Sequence, residues 1–190
     1  MSDLFKQIES ASDEEIEREF GVRKAVMVVD SSGFTRICKA KGILHFLRLV
    51  VRMRRLVRAA VDEGGGSQFR CEADNCYAVF ATAAEALAAA AAIQVRTLAD
   101  PEEHLSVSIG LGYGDLLDAG HEGMFGDEMN FASKLGEDTA SANEVRITEG
   151  FHQALSAEER AGFEPESVRV SGVDLHHYCR TWRDPAAAKG

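Results

Sequence analysis

The chain has 190 residues, 45% of them apolar, and a formal net charge of −10. A chain of this length buries roughly 70% of its unfolded surface, so a single domain needs no disulfide or metal staple. The acidic balance excludes the basic surface that a nucleic-acid groove requires, and a triphosphate could be held only through metal ions or local basic residues.

The first twenty residues are polar, and Ser12-Asp13-Glu14-Glu15 has the form of a capped helix start with acids in its first turn. Residues 1–21 are therefore expected to form an N-terminal helical segment. Residues 24–30 give a continuous apolar run closed by Asp30, the pattern of a strand buried on both faces. From 43 to 61, Phe46, Val50, Met53, Val57 and Ala60 fall at helical spacing, with Arg48, Arg52 and Arg55 on a solvated face. Gly64-Gly65-Gly66 ends that helix. Residues 68–71 and 76–81 read as two short strands around a hairpin turn at 72–75. An alanine-rich helix over 83–98 stops at Asp100-Pro101.

Residues 105–113 alternate as a strand, and a glycine-punctuated loop runs through Gly126. A helix is expected over 128–138, a strand over 144–148, a short helix over 149–155 and a final pair of strands over 167–182. The order β-α-β-β-α-β with later additions predicts an α+β domain with a ferredoxin-like core and C-terminal additions. Its expected limits are 22–184, with 185–190 a disordered tail.

Cys38, Cys71, Cys76 and Cys179 follow no metal-binding spacing, and reduced thiols are the expected state. His176 and His177 are adjacent in a strand, so they point to opposite faces and form no metal pair. There is no secretory pattern at the start, and the mostly alanine stretch 81–93 is too short to span a bilayer. A cytoplasmic protein with no membrane and no nucleic-acid partner is expected.

Three blocks carry chemistry. Asp30-Ser-Ser-Gly-Phe-Thr35, then Phe69-Arg-Cys-Glu-Ala-Asp74 with Tyr77-Ala-Val-Phe80, then Phe125-Gly-Asp-Glu-Met-Asn-Phe-Ala-Ser-Lys134 stand in that order. Together they resemble the class III nucleotidyl cyclase domain over about residues 22–182. The resemblance implies the class III cyclase fold and the closure of a nucleoside triphosphate to a 3′,5′-cyclic monophosphate plus pyrophosphate. It also implies two divalent cations, Mg2+ or Mn2+, on Asp30 and Asp74, since a two-metal site activates the attacking hydroxyl and needs carboxylate ligands. Without the family, Asp30 also reads as a helix cap and Asp74 as an ordinary turn acid.

Backbone amides of Ser32, Gly33, Phe34 and Thr35 open towards a helix and suit the β- and γ-phosphates. Asn130 corresponds to the residue that orients the ribose. Lys134 stands where the family usually has Arg, keeping the charge but not the bidentate fork; a plain Lys134–Asp138 pair is the other reading. The resemblance also implies a homodimer whose two sites are shared between subunits.

Two positions govern base choice in the family. Adenylate cyclases carry Lys and guanylate cyclases Glu at the first, which is Arg70 here; the second is Gly123. Gly123 offers adenine's amino group no acceptor and Arg70 offers donors only, a match to the carbonyls of cytosine or uracil. This resembles the bacterial pyrimidine cyclases of anti-phage signalling, which make cyclic UMP or cyclic CMP. Adenylate cyclase, with cyclic AMP as product, is one alternative, and a salt-bridging Arg70 is another. Ala73 replaces the usual Gly before the second acid, so a different turn is expected. Ser171-Gly172 replaces Lys-Gly near the triphosphate. These departures favour a further alternative, a non-catalytic nucleotide-binding regulatory dimer.

Overall fold

The computed structural model describes residues 2–100, 105–170 and 172–183. Pro101, Ser171 and the 185–190 tail lie outside the described residues. Two short helices come first, α1 (Asp3–Gln7) and α2 (Asp13–Phe20). The Ser12 hydroxyl accepts from the Glu15 amide while the Glu15 carboxylate takes the Ser12 amide, a closed capping box that explains why α2 begins there.

The strands are β1 (Gly21–Ser31), β2 (Ser67–Glu72), β3 (Asn75–Phe80), β4 (Val107–Asp118), β5 (Met124–Phe125), β6 (Glu144–Thr148), β7 (Glu164–Val170) and β8 (Val173–Thr181). They form one sheet ordered β2-β3-β1-β4-β6-β8-β7, with β5 paired to β4. The β2-β3-β1-β4 part is the expected ferredoxin-like arrangement. The additions extend it on the far side of β4, where β6 joins in parallel.

The apolar run in β1 follows from its central place. Ala25, Met27 and Val29 pack under α4 (Ile43–Glu63) and α5 (Ala83–Leu98), while Val26 and Val28 face Leu116, Met124 and Ala132 on the other side. Every second residue is thus buried on a different face, so no polar alternation survives.

The helix expected over 128–138 is divided. α6 (Asp127–Ser133) gives way to a π-helical turn over Lys134–Thr139. Gly136 backs onto β4 there: a Cβ on it would lie 2.8 Å from the Gly110 nitrogen and 3.1 Å from the Val28 oxygen. A wider turn lets the chain pass that close contact. The short helix α7 (Glu149–Ala154) follows β6 as predicted.

Two expectations are corrected. Cys71 and Cys76 are directly opposite across the β2–β3 hairpin with Cα atoms 4.1 Å apart, and they form a disulfide, whereas Cys38 and Cys179 are free thiols. Pairing across adjacent strands of a short hairpin, invisible as a sequence spacing motif, brings them together. Arg48 and Arg55 are solvated as expected, but Arg52 is drawn in, with a side chain only 14% exposed, and pairs with Asp100.

Candidate active site

β1 delivers Asp30 at its end, half-buried in the central strand. The chain then turns at Gly33 with φ 93°, a left-handed conformation that glycine adopts without strain. α3 (Phe34–Lys41) starts immediately after it with no side-chain cap. First-turn amides of Phe34 and Thr35 therefore have no intrahelical acceptor. The amide of Ser32 does have one: it donates to the Ser106 carbonyl at 2.9 Å. The Ser32 amide is therefore not available to a phosphate, which corrects the sequence expectation for that group.

The hairpin between β2 and β3 brings Asp74 to the same place. The Ser31 hydroxyl donates to Asp74 Oδ2 at 2.6 Å. Ala73, beside it, keeps a positive φ of 48°. The alanine thus accepts the left-handed backbone that glycine would take at less cost, and the Arg54 guanidinium holds its carbonyl.

Asp30, Asp74 and the loop Ser32–Thr35 line one open cavity of about 740 Å³. Burial, and after it the charge of Asp74, pushes the Asp30 carboxyl up to about 7; Glu137 and Asp138 add to the rise. Repelling carboxylates at a partly dry position are a donor set that a divalent cation relieves. Among the described residues no three or more His, Cys, Asp or Glu side chains could hold a metal together. A cation here would draw its other ligands from phosphate oxygens and water, as Mg2+ commonly does.

A second group forms on β2, β3 and the loop before α6. The Arg70 guanidinium donates to the Glu122 carbonyl at 3.3 Å and lies 4.6 Å from the centre of the Tyr77 ring. A Cβ at Gly123 would lie 2.8 Å from Arg70 Nη1. The two base-recognition candidates are therefore in contact: the glycine leaves the room that the arginine fills. Met129 lines the same niche.

Asn130 is exposed on α6, outside the acid-lined cavity. Lys134, also outside it, donates to Asp138 at 2.7 Å, the i,i+4 pair that sequence reading left as its alternative role. In a single chain these two residues and the acids do not meet.

Sequence reasoning missed three residues. Tyr77 donates to Glu137 at 3.2 Å and carries Arg70 on its ring, so it links the two groups. Glu137 lies in the π-helical turn, whose folding back onto β4 had no sequence signal. Glu128, partly buried, sits two residues before Asn130 in the third motif; a carboxylate one turn before the buried Ala132, on the same face of α6, was its signal.

No family model matches the sequence, and no curated protein is detectably similar to it. Solved structures are similar in fold. An adenylate/guanylate cyclase/hydrolase from Silicibacter pomeroyi matches with a TM-score of 0.71 at 21% identity, over 86% of this chain and 98% of that one. An adenylate cyclase from Trypanosoma brucei matches with 0.70 at 18%, over 86% and 89%. The catalytic core of a rhodopsin-guanylyl cyclase with converted specificity, in complex with ATPαS, gives 0.70 at 18%, over 86% and 99%. The chain has the fold of class III adenylate/guanylate cyclase catalytic domains.

Proposed function

We propose that this chain is a nucleotide cyclase that closes a nucleoside triphosphate to its 3′,5′-cyclic monophosphate and releases pyrophosphate. The observation that carries this reading is the convergence of Asp30, Asp74 and the first turn of α3 on one open cavity. Asp30 and Asp74 would hold two divalent cations, which supply activation of the 3′-hydroxyl and charge neutralisation at the phosphates. Amides of Phe34 and Thr35, next to Gly33, would bind phosphate oxygens.

Asn130 and Lys134 fit this chemistry only as contributions to a second subunit's cavity. A head-to-tail homodimer has two such shared sites. Mixing Asp30→Ala chains with Asn130→Ala chains would then restore turnover through one intact site, and no recovery would sink the shared-site arrangement.

For the base, contact between Arg70 and Gly123 favours a pyrimidine. The guanidinium offers only donors and takes up space beside the glycine, which suits UTP or CTP better than a purine. Incubating the chain with Mn2+ and each of the four ribonucleoside triphosphates separates the possibilities. Cyclic UMP or cyclic CMP is the expected product; cyclic AMP would establish the adenylate cyclase alternative. Nucleotide binding with no product from any of the four would establish the non-catalytic regulatory dimer, which the Lys134–Asp138 pair favours. The anti-phage signalling role goes with the pyrimidine reading, and phage challenge of cells carrying wild-type or Asp30→Ala chains tests it.

A further inference from the structure

α6 lies on an unusual track. Gly110, Gly112 and Gly114 occupy alternate positions of β4, so all three face the same side of the sheet. A Cβ on Gly110 would stand 2.0 Å from the Ala132 carbonyl oxygen, and one on Gly112 would stand 2.5 Å from the Glu128 carbonyl oxygen. Helix backbone therefore rests almost directly on strand backbone. Such a contact is close, but it has no side-chain knobs to fix where along the strand the helix stops.

Glu128 supplies the missing stop. Its Oε2 accepts the Tyr113 amide of β4 at 3.0 Å and the Thr148 hydroxyl at the end of β6 at 2.5 Å. The parallel pairing of β4 with β6 ends at Leu111 and Ile147, so this oxygen bridges the two strands where their own ladder stops. Gly114 and Gly150 leave the room: a Cβ on either would sit 2.8 Å from the Glu128 side chain. Thr148 is itself fixed, since its hydroxyl accepts from Phe151 and caps α7. Burial holds the Glu128 carboxyl above the usual range, against the effect of these two hydrogen bonds.

We propose that Glu128 is a positioning residue: by bracketing β4 and β6 it fixes the seat of α6 on the glycine track, and so sets where Asn130 and Lys134 stand. This deepens the cyclase reading and rests on it. Glu128 is not placed against the nucleotide.

The test compares Glu128→Ala with Glu128→Gln. One oxygen makes both hydrogen bonds, so the carbonyl of Gln can accept both, and the shape is kept. In Glu128→Ala, kcat is expected to fall on the order of 10–100-fold with KM for the nucleotide little changed, because a small displacement of transition-state groups has that effect. Glu128→Gln should restore most of kcat. Hydrogen exchange should speed up over 127–135 in Glu128→Ala and remain near wild type in Glu128→Gln. Wild-type kcat in Glu128→Ala would overturn the proposal, and so would a Glu128→Gln variant as impaired as the alanine. Should the wild-type chain cyclise no nucleotide, the cyclase reading fails on its own. Hydrogen exchange then still decides the bracket, and unchanged exchange over 127–135 in Glu128→Ala would refute it.

Discussion

Two clusters of charge at opposite parts of the sheet are built on opposite terms. On β6, β7 and β8 the Arg146 side chain is 9% exposed, and it is fully used. It meets Glu144 at 3.0 Å, Glu166 at 2.6 Å and the ring of His177 at 2.6 Å. Arginine can only donate, so His177 Nε2 is the acceptor, and its Nδ1 proton points to the Leu175 carbonyl at 3.3 Å. At the end of β1, by contrast, Asp30 and Asp74 face each other with a serine hydroxyl as the only side-chain hydrogen bond formed by either among the described residues. The first cluster stabilises this fold by balance. The second keeps an imbalance that folding alone would not select, and a perturbed carboxylate in an open cavity is a mark of a functional site.

Mutations can break that comparison. The largest expected effect on stability is that of Arg146→Ala, which strands the Glu144 carboxylate and leaves Glu166 without its arginine beside the buried His177. Breaking a buried pair in this way costs about 3–5 kcal/mol, and chemical denaturation measures it; a loss of under about 1 kcal/mol would show that the network is ornamental. Asp30→Asn should do the reverse. Turnover with Mn2+ is expected to drop on the order of 100-fold or more, while the thermal midpoint stays level or rises as repulsion with Asp74 is relieved. A midpoint that falls as far as that of Arg146→Ala would place Asp30 among the structural charges.

Smaller effects sharpen the contrast. Reducing Cys71–Cys76 should lower stability by at most about 2 kcal/mol, since so short a closed loop removes little chain entropy. The difference should vanish in a Cys71→Ser/Cys76→Ser chain. His177 contributes a pH dependence whose sign follows from its burial. Its folded pKa lies below 6.5, so below that pH the unfolded chain binds a proton that the folded chain does not. Stability should therefore be intact above 6.5 and decline as pH falls, by up to about 1.4 kcal/mol per pH unit. The slope is read as the difference between wild type and His177→Gln; identical slopes would mean that the ring is protonated in the folded state.

Much of the framework was legible along the chain. The β1 run, the hairpin, the α5 helix and β6 were predicted because each is fixed by near neighbours: burial on two faces, a four-residue turn, an alanine-rich run closed by Asp100-Pro101. The motif residues Asp30 and Asp74 were legible from the resemblance. Their meeting in one site was also implied by the resemblance; periodicity alone could not have shown it, because 43 residues separate the Ser31 hydroxyl from the carboxylate that it holds. Arg70 and Gly123 were read as two separate positions, and the loop before α6 makes them one contact. The inward turn of Arg52 towards Asp100 escaped for the same reason, whereas the disulfide, only five residues apart in sequence, escaped because it depends on the register of the hairpin.

By itself, then, the sequence determined the elements and their order, because those depend on periodicity and spacing over a few residues, whereas the acids of the proposed site were picked out by the resemblance. Tertiary structure alone decided which of them share a cavity, which amide was already spent on Ser106, and how a carboxylate on α6 came to rest between two strands. Those outcomes depend on long-range packing, on glycines that let backbones touch and on the loss of water around a charge. None of these is a property of any one stretch of chain.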